Sequence, residues 1–545
     1  MSDLIILFGK NDYHVSNSSR MTYVYSIGSA SVYGREVVNV NDSEKLREIA
    51  LEVREEYSRW IYSLNKMFVR KKLTYQGLSL FLMSDCSCKR TELFDTYASI
   101  CNLLLIREII AEREPKEILL IHGDSWFLRG LESVAGGIPI IVENLEKKKR
   151  NWFRRVASDL RFVMEIALVV SLTPVIIRRS DVKEEETRRY FFSIFPKMTE
   201  SDGRDKKYGD LVNDNDRYAV NILTDGFHQH ISVLSYFRIL KNAKRSGLKV
   251  IDDYFTHSDW ITGLYWLFRI KRSMLRESAS HYFRGIDVSS WIREELSQSA
   301  SRLARFMAIK GAYQRFFQDH CISEFVYYLH EYPLGRLISW LLRTRQPHVT
   351  TYGFQHGPAA QRKLLYYMSA NEAKEQEDFL TNVPIPQEVL AEDNASAEIY
   401  QNSGYRNVRV MDKIYRLDYL ENILPRKDAK LALIAPGLHD GEEMLETMSG
   451  IIYSNQETRF FLKPHPLANN TYANKYQKSP NLVITGDSIQ DLLSQVSVVY
   501  VTYSSVGLEA LKMEIAVRVV EIPGVINQSP LGDLKNYESM VIRSN

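Results

Sequence analysis

Apolar runs that end in polar turns and lead into stretches of helical spacing recur in three regions of the chain. The first holds Leu4 to Phe8, then Glu117 to Ile121 running into His122-Gly123-Asp124, then Ile138 to Val142 ending at Glu143. The second begins with Ala219 to Leu223, turns at Thr224-Asp225-Gly226, continues as a helix over Ile231 to Lys244, stops at Gly247 and re-enters a strand at Leu248 to Ile251. The third is the most regular, with strands Leu431 to Ala435, Arg459 to Leu462, Asn481 to Ile484, Val496 to Val501 and Ala516 to Glu521. Helices from Gly441, over Ile489 to Gln495 and over Val506 to Lys512 alternate with them. Continuous apolar strands separated by amphipathic helices predict an α/β chain of parallel sheets covered on both faces. Polar residues just past the strand ends of such a sheet line the crevice where ligands bind.

Two less regular blocks lie between. Asp181 to Arg217 is crowded with charge and includes Ser201-Asp202-Gly203, which predicts a surface connection. Trp260 to Phe317 has helical spacing, and its aromatic face of Trp260, Tyr265, Trp266 and Phe268 reads as core rather than as a substrate platform. Phe162 to Ile177 is apolar, but at 16 residues with Glu165 and Pro174 inside it it falls short of the ~20 a membrane-spanning helix needs. Its flanks are basic: Lys147 to Arg150, Arg154 and Arg155 precede it, with Trp152 and Phe153 interleaved, and Arg178 and Arg179 follow. The segment reads either as a buried helix with solvated flanks or as one that rests on an anionic membrane surface.

Charge narrows the partners. The 545 residues carry 70 Lys+Arg against 67 Asp+Glu, a net charge of +3, which is no nucleic-acid footprint. With 45% hydrophobic and 25% charged residues the composition is that of a globular protein. The four cysteines, Cys86, Cys88, Cys101 and Cys321, form no CxxC pair and suggest neither a zinc site nor a disulfide framework. Met1 to Phe8, with Asp3 and no basic leader, reads as a first strand rather than a signal peptide. A cytoplasmic protein is expected, with peripheral contact to the inner face of the plasma membrane through the Lys147 to Arg155 region as the alternative to a fully solvated surface.

Three short motifs carry the chemistry: Tyr352-Gly353-Phe354-Gln355-His356-Gly357-Pro358, Leu462-Lys463-Pro464-His465-Pro466, and Thr502-Tyr503-Ser504-Ser505-Val506-Gly507-Leu508-Glu509-Ala510-Leu511. Each follows a strand. Ser504 and Ser505 open a helix, where hydroxyls and unpaired N–H groups suit an anion, although a plain helix cap would use the same residues. Carboxylates at strand ends, Asp225 first, then Glu331, Asp124 and Glu143, are candidates for a base or nucleophile, and His356 for a base or a donor to an anionic substrate. Asp214-Asn215-Asp216 matches an Asp-x-Asp metal string but sits in a polar loop, and His228, His230 and His257 lack a completing carboxylate, so no metal site is expected. No Gly-x-Gly-x-x-Gly or Walker element is present.

The set of three motifs resembles the bacterial GT-B glycosyltransferases that use cytidine-activated donors: the sialyl-, polysialyl- and Kdo transferases, and more distantly the CDP-glycerol polymerases. Val326 to Glu521 is also similar to bacterial surface-carbohydrate biosynthesis proteins, through Tyr327-Tyr328-Leu329-His330-Glu331-Tyr332-Pro333 and Val408 to Leu420. The resemblance implies two Rossmann-like domains facing a central cleft: residues 1–420 binding the acceptor, enlarged by helical insertions at about 147–217 and 258–318, and residues 421–545 binding the nucleotide. It implies Lys463, His465, Ser504, Ser505, Glu509 and Gln355 at the donor nucleotide, and Asp225, Glu331 and His356 at the reacting groups. The implied activity is transfer of a nonulosonic acid or Kdo-type sugar from a CMP-activated donor to a lipid-linked or oligosaccharide acceptor of O-antigen or capsule, without metal or other cofactor. A CDP-alditol phosphotransferase and a catalytically silent scaffold of a polysaccharide assembly complex are the alternatives.

Overall fold

The first strand is buried on both faces: Leu4, Ile6 and Leu7 are wholly inaccessible and Ile5 nearly so. This is what a short run without polar alternation predicts for the interior of a parallel sheet. The computed structural model describes residues 2–543 except 10–11, 15–20, 35, 148–151, 177–185, 196–198, 200–203, 224–231, 276–278, 330–331, 371, 374–377, 422, 424–427, 467, 469 and 477–478. Three parallel sheets organise it. The N-terminal sheet contains β1 (Ser2–Phe8), β2 (Met21–Ile27), β3 (Val37–Asn39), β4 (Ile118–Ile121) and β5 (Ile140–Glu143), in the order β3-β2-β1-β4-β5. The middle sheet contains β6 (Arg188–Ser193), β7 (Arg217–Val220), β8 (Lys249–Val250), β9 (Ile322–Tyr328), β10 (Thr350–Phe354), β11 (Glu388–Ala391) and β12 (Val408–Val410), in the order β8-β7-β6-β9-β10-β11-β12. The C-terminal sheet contains β13 (Asp428–Ala435), β14 (Arg459–Leu462), β15 (Leu482–Ile484), β16 (Val496–Val501), β17 (Ala516–Val520) and β18 (Val541–Ile542), in the order β15-β14-β13-β16-β17-β18.

All three share one winding. The chain enters at a central strand, steps outward twice, then crosses back past the starting strand. Helices connect most strands of the C-terminal sheet, whereas the described parts of the β1–β2 and β2–β3 connections hold none, and the Ile5/Leu7 face of the N-terminal sheet is covered by Tyr13, Ala30 and Val32. In the C-terminal sheet Leu433 and Val499 pack into one layer while Ala432, Ile434 and Phe460 pack into the other. In the middle sheet Tyr190 and Phe192 face the main core and Phe191 the opposite layer.

Two expectations need correction here. Residues 1–420 hold two sheets where one enlarged domain was expected. The charged block 181–217 is not only a surface connection, since its apolar centre Tyr190-Phe191-Phe192 forms β6, the strand at which the middle sheet reverses. Flanking arginines hid it: Arg188 and Arg189 lie within the strand and reach out to the Asn215 carbonyl and the Asp216 carboxylate.

Five helices matter below. Three form a helical layer: α1 (Trp152–Ile176), α2 (His257–Leu275) and α3 (Ser289–Asp319). Two follow strands of the C-terminal sheet: α4 (Gly441–Ser454) and α5 (Val506–Lys512). The C-terminal sheet touches both of the others. The Gly28 N–H donates to the Pro523 carbonyl at 2.9 Å, and Arg362, beyond β10, donates to the Asn527 carbonyl at 2.9 Å and pairs with Asp533 at 3.1 Å.

Candidate active site

A doubly wound sheet opens a crevice where its strand order reverses, beyond the carboxyl ends of the two diverging strands. In the C-terminal sheet those strands are β13 and β16. Past β13 comes Pro436 to Gly441, past β16 comes Thr502 to Ser505, and Lys463 to His465 follows the neighbouring β14. The loops interlock: the Gly437 N–H donates to the Thr502 hydroxyl at 3.2 Å and the His439 N–H to the Tyr503 hydroxyl at 3.0 Å. Gly437 is required here, because a Cβ would run into the Tyr503 ring.

His465 is half-buried, and burial first and then the neighbouring His439 hold its pKa below the usual imidazole value. At neutral pH it therefore offers a neutral ring N–H rather than a cation. Lys463 reaches sideways to the Gly486 carbonyl at 2.9 Å. His465 and Ser504/Ser505 do not adjoin: β13 lies between their strands, and the His439-Asp440 loop occupies the gap. Asp440, 7% exposed, carries a carboxyl pushed up to about 6, first by burial and then by the nearby Glu443, and neither of its oxygens has a hydrogen-bond partner among the described residues.

The paired serines sit where the motif put them, with less capping than a helix start implies. Ser505 is the residue before α5, but its side chain makes no cap; its hydroxyl lies 3.4 Å from the Glu509 carboxylate, and the Val506 N–H reaches Ser504 Oγ at 3.4 Å. Glu509 is buried and accepts from the Tyr419 hydroxyl. That bond points across to the middle sheet.

On the other side stands His356, past β10. Its ring lies 4.6 Å from that of Tyr328 at the end of β9. Burial, then Lys207, Lys363 and Arg416, hold its pKa well below the ordinary value. Lys207 is itself pushed down, by burial and then by Arg416, while Glu509 and Glu392 oppose the shift. Arg416 and Glu392 form a buried ion pair, with Nη2 to Oε2 at 2.9 Å. Asp205 accepts from the hydroxyls of Ser193 and Tyr328 and from the Lys207 N–H at 2.8 Å. Gln355 is fully buried: its carbonyl accepts the Glu392 N–H at 2.9 Å and its amide donates to the Gly357 carbonyl at 3.0 Å and to Ser396 Oγ at 3.2 Å. It shapes the loop that holds His356.

Lys207 and Arg416 lie within electrostatic reach of both His356 and Glu509, so the two strand-end clusters are neighbours. Two Rossmann-ordered sheets so opposed form a GT-B fold. No family model and no curated protein matches the chain. Among solved structures it is similar to the calicheamicin glycosyltransferase CalG4, 12% identical, covering 66% of this chain and 86% of that one with a TM-score of 0.35. It is similar to Acinetobacter baumannii MurG at 8% identity, 65% and 86% coverage and a TM-score of 0.34. It is also similar to the wall teichoic acid polymerase TagF at 13% identity, 72% and 89% coverage and a TM-score of 0.30.

Asp225 and Glu331, together with His228 and His230, lie outside the described residues. Asp216 is occupied by Arg189 at 2.7 Å and by the Asn213 N–H at 2.8 Å, so it serves its own turn. Among the described residues no group of three His, Cys, Asp or Glu side chains is placed to hold a metal ion. Sequence reasoning missed Asp440, although His439-Asp440-Gly441 has the polar strand-end and helix-start signal that singled out Ser504. It also missed Lys207 and Arg416, for which no local signal exists.

Proposed function

We propose that the protein is a GT-B glycosyltransferase that moves a nonulosonic acid or Kdo-type sugar from a CMP-activated donor to a bacterial surface glycan. The observation that supports this reading is the group of His356, Lys207, Lys363 and Arg416, rich in cations, whose Lys207 and Arg416 also lie within electrostatic reach of Glu509 on the helix that follows Ser504/Ser505. A CMP-activated sugar acid has anionic groups to match both: a phosphate for the C-terminal loops and a carboxylate for the cluster around His356.

Breaking the bond from sugar to phosphate builds negative charge on the departing nucleotide, so donors fixed in advance near that phosphate lower the barrier. His465 Nε2–H or Nδ1–H and the serine hydroxyls take that role without a metal ion. A histidine whose pKa is held far below neutrality is a poor proton acceptor at pH 7. His356 is therefore assigned to the substrate carboxylate as a neutral donor, and deprotonation of the acceptor hydroxyl to Asp225, with Glu331 second.

Thermal-shift measurements with CMP, CDP, UDP and GDP test the donor class. Binding to the folded state raises stability by about 2.7 kcal/mol at a hundredfold excess over Kd, so CMP should stand out and remain effective in EDTA. A larger response to UDP or GDP would refute the cytidine assignment. CMP binding without turnover on any sugar-acid donor would favour the silent scaffold.

A further inference from the structure

The aromatic face read as core splits in the structure. Trp266 is buried at 5% exposure, but Tyr265 and Phe268 on the same helix are 53% and 67% exposed, and Ile261 is 54% exposed. These three lie at i, i+4 and i+7 and form one stripe along α2. The adjoining helix α1 carries a second: Leu160, Met164 and Leu168, at i, i+4 and i+8, are 39%, 56% and 41% exposed. Both helices turn their opposite faces to α3. A Cβ on Gly263 of α2 would lie 2.8 Å from the Ala308 side chain of α3 and 3.4 Å from that of Val163 of α1. Asp159 of α1 ties Lys271 of α2 at 2.8 Å and Arg305 of α3 at 3.1 Å. Two apolar stripes thus point out of one side of the helical layer.

The rim of this face is cationic. Arg272 is exposed within the α2 stripe and Arg161 beside the α1 stripe. At the end of α2 the turn Arg70-Lys71-Lys72 is held in place by Lys71 Nζ on the Ser273 carbonyl at 3.1 Å and Arg269 Nη2 on the Lys72 carbonyl at 2.8 Å. Of the acidic side chains on the described parts of α1 and α2, Asp159 and Asp259 are buried, and Glu165 is paired with Arg161 at 2.7 Å.

We infer that this α1–α2 face docks the protein on a bilayer surface bearing anionic headgroups. Apolar side chains would enter the acyl boundary while the rim arginines and lysines meet the phosphates, as for an interfacial amphipathic helix. No described helix is long and apolar enough to cross a membrane, so the contact is one of surface. A second copy of the chain fits less well: a two-fold contact would set the same cationic rim against itself, and among the described residues of α1 and α2 the one acid that is not buried, Glu165, is already paired with Arg161. The Lys147 to Arg155 run leads into the same helix, but residues 148–151 lie outside the described residues. Docking through this face does not depend on glycosyl transfer.

Co-sedimentation with phosphatidylcholine vesicles, with and without phosphatidylglycerol, tests it. The protein should pellet with the anionic vesicles and be released by salt. Met164→Glu with Phe268→Glu, both at exposed positions, should lower partitioning by roughly tenfold or more with unchanged circular dichroism. Arg70→Ser with Lys72→Ser should lower it by roughly fivefold per cation removed. No pelleting, equal binding to both vesicles, or binding unaffected by either pair would overturn the inference. So would light scattering that finds a dimer which Phe268→Glu dissociates without any lipid binding.

Discussion

Asp440 shows what burial does to a single carboxyl. Its pKa stands at about 6 rather than 3.8, so the folded protein keeps a proton that the unfolded chain has already lost between those values. Stability therefore falls as pH rises through that window, by about 3 kcal/mol in the limit where the whole shift is expressed. Asp440→Asn removes the loss: the variant should melt higher than the parent at pH 8 and match it near pH 3.5. Parallel melting curves at both pH values would show that Asp440 is not the group responsible. His465 has a depressed pKa and hence the reverse sign, since its neutral form is the one the fold favours. A bound phosphate favours the imidazolium, so CMP affinity should strengthen as pH falls from neutral into the acid range. His465→Ala should lose that pH dependence together with about 1.5–3 kcal/mol of binding. Isothermal titration at pH 5.5 and 7.5 checks both, and unchanged affinity in the variant would remove His465 from the site.

At the scale of elements, the loop after β13 is built around the absence of a side chain. Gly437 lets the Tyr503 ring lie against the backbone, and that ring's hydroxyl takes the His439 N–H. Gly437→Ala should push the ring out, at a cost of about 1–3 kcal/mol as for overpacked cores, and weaken CMP binding by displacing His439. Adding Tyr503→Ala should recover stability but not binding. A Gly437→Ala protein with the parent's melting temperature would contradict this packing. The loop after β10 is built the other way, around the side chain of Gln355. The sequence shows Gln-His-Gly as a motif, yet nothing local says that the glutamine is spent on Glu392, Gly357 and Ser396 while the histidine faces the cleft. Glu392 and Ser396 are brought in by β11 and the helix after it.

The whole molecule is tied by contacts between distant segments. Lys89 and Glu372, both 1% exposed at the side chain, pair at 2.9 Å across 283 residues of chain. Breaking one partner leaves the other charged and buried, so Lys89→Met should cost about 3–5 kcal/mol, and Lys89→Met with Glu372→Gln should recover most of it. Chemical denaturation of the two singles and the double closes the cycle, and additive losses would mean that the pair is not coupled.

The sequence alone determined the C-terminal sheet: the strands Arg459–Leu462 and Val496–Val501 and the helix Val506–Lys512 fall where periodicity puts them. A buried parallel strand and its covering helix are each specified by a few consecutive residues, so local pattern suffices. It also placed Lys463, His465, Ser504 and His356 at strand ends, because strand ends are where apolar runs stop. Only the tertiary structure decided that β6 threads the charged block, since a strand flanked by arginines looks like a loop until its neighbours bury it. Only the tertiary structure set Lys207, Arg416 and Asp440 at the cleft and left Tyr265 and Phe268 outside it. Burial and electrostatic neighbourhood depend on segments hundreds of residues apart, and no window on the sequence contains them.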